Sequence, residues 1–353
     1  MKPRERVAHA MRHERVDRIP LFYRDVPEVR QRLLNDLGLN TYEELLERLN
    51  IDFRWVEPVY VGPALENPDR TRRDIWGLNY RYTTFSEDAG YWELAERPFA
   101  DMEDPAELDN WQWPSLDWFD FSVLKDQCEQ YADYAIMTAP GYASPNLIQL
   151  MEAMCGEQKA WMDVLVEPEF FDALAEKIVS FNEAFIDRML DAAGGRIDFM
   201  RIGDDYGSQQ SLTVGPEPWR ARVQPGLKRY AAVAKKHGAH YYHHSCGAVR
   251  ELIPDLLEAG VDVLDPLQVT ARGMVPAELH VEFGDRVVFS GGVDENVVLS
   301  QGTPDEVRAA VRDLIRDMDG LNGGFFLGPT HNFQTDCRIE NIVAMYEEAG
   351  QCR

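Results

Sequence analysis

The chain has 353 residues, 45% of them hydrophobic and 11% aromatic, and a formal net charge of −25. That length suits one large α/β barrel or two ordinary domains, and the apolar fraction supplies a sizeable core, which excludes a disordered chain. The charge repels phosphate backbones and anionic lipids, so neither a nucleic-acid nor a membrane partner is expected. No apolar run reaches the about 18 residues that span a bilayer. The charged N-terminus lacks the apolar stretch of a signal peptide, and five cysteines, an odd number, read as free thiols. A cytoplasmic protein is expected.

In chain order, PRERVAHAMRHE carries a helical spacing of Val7, Ala10 and Met11, and DRIPLFY is a short apolar run ending near Tyr23. Residues 25–49 read as two helices broken at Gly38-Leu39-Asn40, and DFRWVEPVYVG reads as a strand with Glu57 near its end. Residues 62–118 differ: they are rich in Pro, Asp and Trp, and IWGLNYRYTTF and GYWELAERPF alternate like the strands of a hairpin around SEDAG. They are read as an insertion at a barrel rim, inside a single domain spanning 1–353. Its tryptophans serve either as a substrate wall or as ordinary rim packing.

From residue 134 apolar runs alternate regularly with amphipathic stretches. Strands are predicted at 134–140, 197–205, 239–247, 261–266, 286–294 and 323–331. Helices are predicted near 167–194, 216–237, 248–259, 303–318 and 338–349. Strands alternating with helices imply βαβ units and a parallel sheet. With the two earlier runs the count is eight, the closure number of a (β/α)8 TIM barrel. The alternative, a doubly wound open sheet, lacks a GxGxxG after any early strand.

The later strands end in polar or glycine-rich residues, among them Asp204-Asp205, His244-Ser245-Cys246-Gly247, Asp265, Asp294 and Pro329-Thr330-His331-Asn332. In a parallel barrel these ends share one face, where active sites are built. Asp205 and Asp294 are also plausible helix caps, and the Asp204-Asp205 pair reads equally as a cap plus one rim hydrogen bond. The sharpest local signal is HSCG. On a strand, residues i and i+2 face one side, so His244 and Cys246 form a soft N/S pair suited to zinc. A buried histidine beside an apolar cysteine is the alternative. His331, at the end of the last strand, supplies a third ligand and leaves the fourth position open for substrate. His240 is expected in the core and His243 toward the surrounding helices. His9, His13, His237 and His280 read as surface or packing residues. Cys337 reaches the mouth only if its loop folds back.

KPRERVAHAMRHERVDRIP, DIWGLNY, CGEQKAWMDVLVEPEFF, GDDYGSQQSLTVGPEPWR, HHSCGAVRELIPDLLEAGVDVLDPLQ, FSGGVDENVVL and GPTHNFQTDCRIENIVAMYEEA together resemble the superfamily of uroporphyrinogen decarboxylases and cobalamin-dependent methyltransferases. The resemblance implies one of two activities. One arm decarboxylates tetrapyrrole acetates without a cofactor. The other moves methyl groups between a corrinoid and a thiol or another acceptor, using zinc held by an H-x-C pair and a later cysteine. His244 and Cys246 match that pair, and His331 stands where the later cysteine falls. The decarboxylase arm's arginine element is not matched: Arg24 and Arg30 are present with the wrong spacing, and Arg54 and Glu57 stand where its catalytic aspartate is expected. The resemblance therefore implies a zinc methyltransferase, with Asp204, Asp205 and Asp265 as catalytic or orienting carboxylates and Glu57, Gln268, Asp294 and Asn332 at the substrate. The chain has no room for a corrinoid module, so a corrinoid would arrive on a partner protein. By analogy with the superfamily, a homodimer is expected. A decarboxylase of a tetrapyrrole or other polycarboxylate is the alternative.

Overall fold

The computed structural model describes residues 1–66, 71–84, 90–142, 146–166 and 168–352. Its centre is a curled sheet of seven parallel strands: β1 (Phe53–Val56), β2 (Ala135–Thr138), β3 (Phe199–Gly203), β4 (His240–His244), β5 (Val263–Asp265), β6 (Val288–Val293) and β7 (Phe325–Pro329). Their order across the sheet is their order along the chain. Phe53 pairs with Ala135, Met137 with Phe199, Tyr242 with Val263, and Phe289 with Phe325. Helices return the chain between successive strands. The longest, Pro168–Ala193, buries a stripe running from Phe170 to Ala193. Helix Pro304–Asp317 shows how the sequence sets such an element. Thr303 and Glu306 form a capping box, Pro304 occupies the first turn, and Val307, Val311, Leu314 and Ile315 make its buried face. Among the described residues no helix is long and apolar enough to cross a membrane.

Alternation along the strands divides the core in two. Phe53, Met137, Phe199, Tyr242, Val263, Val288 and Phe326 point inward and form one cluster with Phe22. Their neighbours Ile136, Met200, Tyr241, Leu264, Phe289 and Leu327 join the larger core under the helices. A flat sheet could not gather one face of seven strands into a single cluster; the curl does. Helix Pro3–Met11 contributes Val7 and Ala10 to the inner cluster and ties to Gly324 through the Ala10 carbonyl, closing the N-terminal end of the strands.

Eight strands were expected, and seven form. Residues 20–25 lie between β7 and β1 as isolated bridges, Leu21 to Leu327 and Asp25 to Phe333, not as a regular strand. The reason is local. Pro20 has no N–H to give a ladder, and the Leu21 N–H is diverted to the Asp52 carboxylate at 2.8 Å. The Asp52 N–H in turn donates to the Leu21 carbonyl at 3.0 Å. Helix 216–237 is likewise two helices, Pro216–Arg222 and Gln224–His237, split before Pro225. The predicted hairpin is a three-stranded antiparallel sheet, Thr71–Arg73, Asn79–Thr84 and Gly90–Leu94; its turn at Ser86–Ala89 lies outside the described residues. The pair Val59–Tyr60 and Phe119–Asp120 brackets the insertion.

Asp52, fully buried, is the clamp between the first segment and β1. Beside Leu21 it accepts from Arg6 Nη1 at 2.5 Å and from Arg18 at 2.8 and 3.0 Å. Removing one member of a buried ionic cluster strands its partners without their counter-charge. Asp52→Ala is therefore expected to lower unfolding free energy by about 3–5 kcal/mol, read from urea denaturation. A loss below about 1 kcal/mol, the range of an exposed ion pair, would show that the clamp does not hold the segment.

Candidate metal and active site

The C-terminal ends of β3, β4, β5 and β7 converge on one mouth. His244 closes β4 and Cys246 lies two residues beyond, in the bend that follows. The two side chains meet, as their i and i+2 spacing predicts. The turn is held by the Ser245 N–H on the Asp265 carbonyl at 2.6 Å, the Cys246 N–H on Asp205 Oδ1 at 2.7 Å, and the Gly247 N–H on Gln268 Oε1 at 2.6 Å. Gly247 has φ +92°, and a Cβ there would collide with the Gly207 carbonyl, so the loops after β3 and β4 can touch only through glycine. The outcome is Cys246 Sγ 3.5 Å from His244 Nε2. His331, two residues past β7, brings its ring centroid to 6.3 Å from that of His244. One ligand atom from each of the three residues lies within 4.8 Å of the others.

The His244 ring is oriented from behind. Its Nδ1 is 2.7 Å from Asp265 Oδ2, and Arg24 Nη1 donates to the same oxygen at 2.8 Å. A carboxylate only accepts, so Nδ1 carries the proton and Nε2 turns a lone pair toward Cys246 and His331. Arg24 Nη2 donates to the carbonyls of Pro329 and Thr330 at 3.3 and 2.7 Å, which ties the loop carrying His331 to the same cation. Burial opposes ionisation of Asp265, but Arg24 and His244 outweigh it and hold the carboxyl well below its usual range. Burial pushes the Cys246 thiol up, and Asp205 pushes it further. Burial also lowers His244, against Asp265.

The remaining candidates fall in different places. Asp205 Oδ1 lies 3.8 Å from His244 Nε2, and Oδ2 accepts from Gln149 Nε2 at 2.9 Å. Asp204, next to it, is fully buried and takes the N–H groups of Leu147 and Gln149 at 2.9 and 3.0 Å, capping helix Ile148–Cys155; burial lifts its carboxyl to about 7. Asp294 caps the turn Glu295–Leu299 through the Val297 N–H. Gln268 supports the turn after Cys246. Glu57 follows β1, half-buried, with its backbone tied to the Gln127 amide. Asn332 sits half-buried beside His331. His243 is buried among Tyr206 and Tyr241 on the helix side. His240, expected in the core, stands half-exposed at the opposite end of β4 near Asp262. Cys337 is buried against the Glu295 carbonyl, away from the mouth. Arg24 is the functional residue that sequence reasoning misplaced. Its only local signal was an arginine directly after an apolar run.

Zinc bonds of about 2.0–2.3 Å at tetrahedral angles place ligand atoms about 3.3–3.8 Å apart. The His244–Cys246 pair already stands at that spacing, and His331 stands slightly farther out on the open side. Two neutral imidazoles and one thiol, with a carboxylate orienting one imidazole, are a donor set that fits zinc.

His331 is exposed at the rim, yet partial burial of its ring, then Arg24 and His244, lower its pKa to about 4. His243 is lowered to about 3 by burial. Both depressed values mean that the unfolded chain binds more protons below 6.5, so the metal-free protein loses stability as pH falls from 6.5 through 4. In metal-free protein the His331 ring is expected to titrate near pH 4 by NMR. A midpoint near 6.5 would place the ring outside the mouth.

Comparison with known proteins adds the following. The uroporphyrinogen decarboxylase (URO-D) profile matches residues 146–351. Among solved structures, a methyltransferase from Methanosarcina mazei is similar over 99% of both chains, at a TM-score of 0.70 and 14% identity. The 3-keto-D-glucoside 4-epimerase from E. coli covers 66% of this chain and 88% of its own at a TM-score of 0.41 and 12% identity. A sugar phosphate isomerase/epimerase from Parabacteroides distasonis covers 69% and 80% at 0.34 and 12%. The first likeness shows a common fold; the other two are too distant for argument. No curated protein sequence matches the chain. The match over more than half of the chain, with the fold and the converging strand ends, makes this protein a member of the uroporphyrinogen decarboxylase (URO-D) family.

Proposed function

We propose that the protein is a zinc-dependent methyltransferase that moves a methyl group between a corrinoid carried by a partner protein and a thiol or another small acceptor or donor. The observation that carries this reading is the convergence of His244, Cys246 and His331 with the His244 ring fixed by Asp265. These three residues would hold zinc, which would supply Lewis acidity to a substrate heteroatom. Asp265 keeps the proton on Nδ1 and so keeps Nε2 a ligand. Arg24 holds Asp265 ionised and fixes the His331 loop in one framework with β5. Cys246 is a thiol in the metal-free protein, so loading the site releases its proton. Asp205, beside Nε2 and steadied by Gln149, is placed to take the proton of an incoming thiol or hydroxyl.

The decarboxylase alternative needs a cation for a substrate carboxylate. Arg24 spends its terminal nitrogens on Asp265 and two carbonyls. That engagement favours methyl transfer.

Purified wild type is expected to hold about one zinc per chain and to accept or release methyl groups with a methylated corrinoid. His331→Cys should keep the metal, since thiolate is a softer zinc ligand, whereas His331→Ala and Cys246→Ala should lose metal and activity together. If wild type and variants all carry no zinc and none moves a methyl group, the assignment is wrong.

Asp265→Asn tests the orienting carboxylate. It should weaken zinc binding by about 10–100-fold, the usual effect of losing the hydrogen-bond partner behind a ligand. A competing chelator measures this, and unchanged affinity would remove Asp265 from the site.

A further inference from the structure

A cavity of about 330 Å³ opens beside the mouth, between the insertion, the start of helix Ile148–Cys155 and the long helix Pro168–Ala193. Its walls include four aromatic rings: Trp76 and Tyr80 from the insertion, Tyr142 from the segment after β2, and Phe181 from the long helix. Trp76 meets Phe181 edge-on at 5.1 Å, which joins the insertion to the barrel. Asp74 is the one acidic side chain among the described lining residues, and no Lys, Arg or His lines the space with it. Asp74 accepts the N–H groups of Trp76 and Leu78, each at 2.9 Å, and the Tyr80 hydroxyl at 3.2 Å, so its carboxylate is fixed in place with no ion-pair partner among the described residues. Gln149 lines the cavity and donates to Asp205, whose other oxygen is 3.8 Å from His244 Nε2. Gln149 thus stands between the cavity and the Asp205 carboxylate beside His244.

We infer that this cavity binds the ammonium-bearing tail of the small substrate, a tertiary or quaternary amine group, while the reacting heteroatom lies at the mouth. Aromatic faces attract an alkylated ammonium through their quadrupoles, and the attraction strengthens where the site excludes water. One fixed carboxylate adds charge complementarity, and Arg72, the cation that acts on it, lies outside the lining, over the Tyr80 ring at 5.3 Å. The overall charge of −25 favours cationic ligands over anionic ones. An anionic tail would meet Asp74 and no counter-charge. The inference rests on the methyl-transfer reading for what happens at the mouth, but the binding of the tail does not depend on zinc.

The test is calorimetric titration of the full chain with choline and with its neutral isostere 3,3-dimethylbutan-1-ol, before and after chelator treatment. Choline is expected to bind saturably and about tenfold more tightly than the isostere, the ratio that one cation–π and charge contribution gives. Asp74→Asn and Trp76→Leu should each remove that preference. Trp76→Leu leaves the Asp74 turn intact and so serves even where Asp74→Asn unfolds the insertion. Equal binding of choline and isostere, no choline binding to wild type, or an unchanged preference in Trp76→Leu would overturn the inference. Choline binding that persists in chelated, inactive protein supports the tail site even where zinc chemistry fails. Zinc-dependent methyl transfer without choline binding removes the tail site and leaves the function standing.

Discussion

The Asp265 carboxylate, buried completely at the end of β5, is shared by Arg24 and His244, and much of the mouth depends on that sharing. Taking a carboxylate out of water costs several kcal/mol unless charges and hydrogen bonds replace its hydration. Arg24 comes from the segment between β7 and β1, and His244 from β4, so the carboxylate can be accommodated only when distant parts of the sheet have closed around it. Arg24 then extends the same constraint to the loop after β7 through two carbonyls. The His244 tautomer and the placement of the His331 loop are consequences of one interaction.

The inward-facing apolar residues make this possible. Phe22, Phe53, Met137, Phe199, Tyr242 and Phe326 fill the interior below the mouth, and the N-terminal helix closes the far end. The polar groups at the strand ends divide between protein partners and the mouth. Asp204 and Asp205 show the division. They are adjacent in sequence, but one is turned inward to cap a helix and the other stands beside the His244 ring.

The insertion is packed onto the barrel by its aromatic residues. Trp111 meets Phe99 edge-on at 5.1 Å and donates its indole N–H to the Trp76 carbonyl, while Trp76 itself rests on Phe181. Trp76, which looks like plain rim packing, thus also lines a cavity next to the mouth. Packing and recognition are carried by the same rings.

Sequence alone determined the parts that rest on local chemistry. The alternation of apolar runs and amphipathic stretches after residue 134 reflects periods of 2 and 3.6 residues, which each segment carries by itself. His244, Cys246 and His331 stand out because few residue types bind soft cations. Tertiary structure decided the rest. Pro20 and the Asp52 carboxylate turned an expected strand into two bridges. The close approach of Gly247 to the Gly207 carbonyl fixed the chain where it leaves Cys246. Asp204 became a cap because the backbone N–H groups of Leu147 and Gln149, 57 and 55 positions away, point at it. The part Arg24 plays was hidden because its partners, Asp265 and the carbonyls of Pro329 and Thr330, are more than 240 residues distant in the chain. A carboxylate that caps and one that orients a ligand are the same residue type. Only the fold decides which donors reach it.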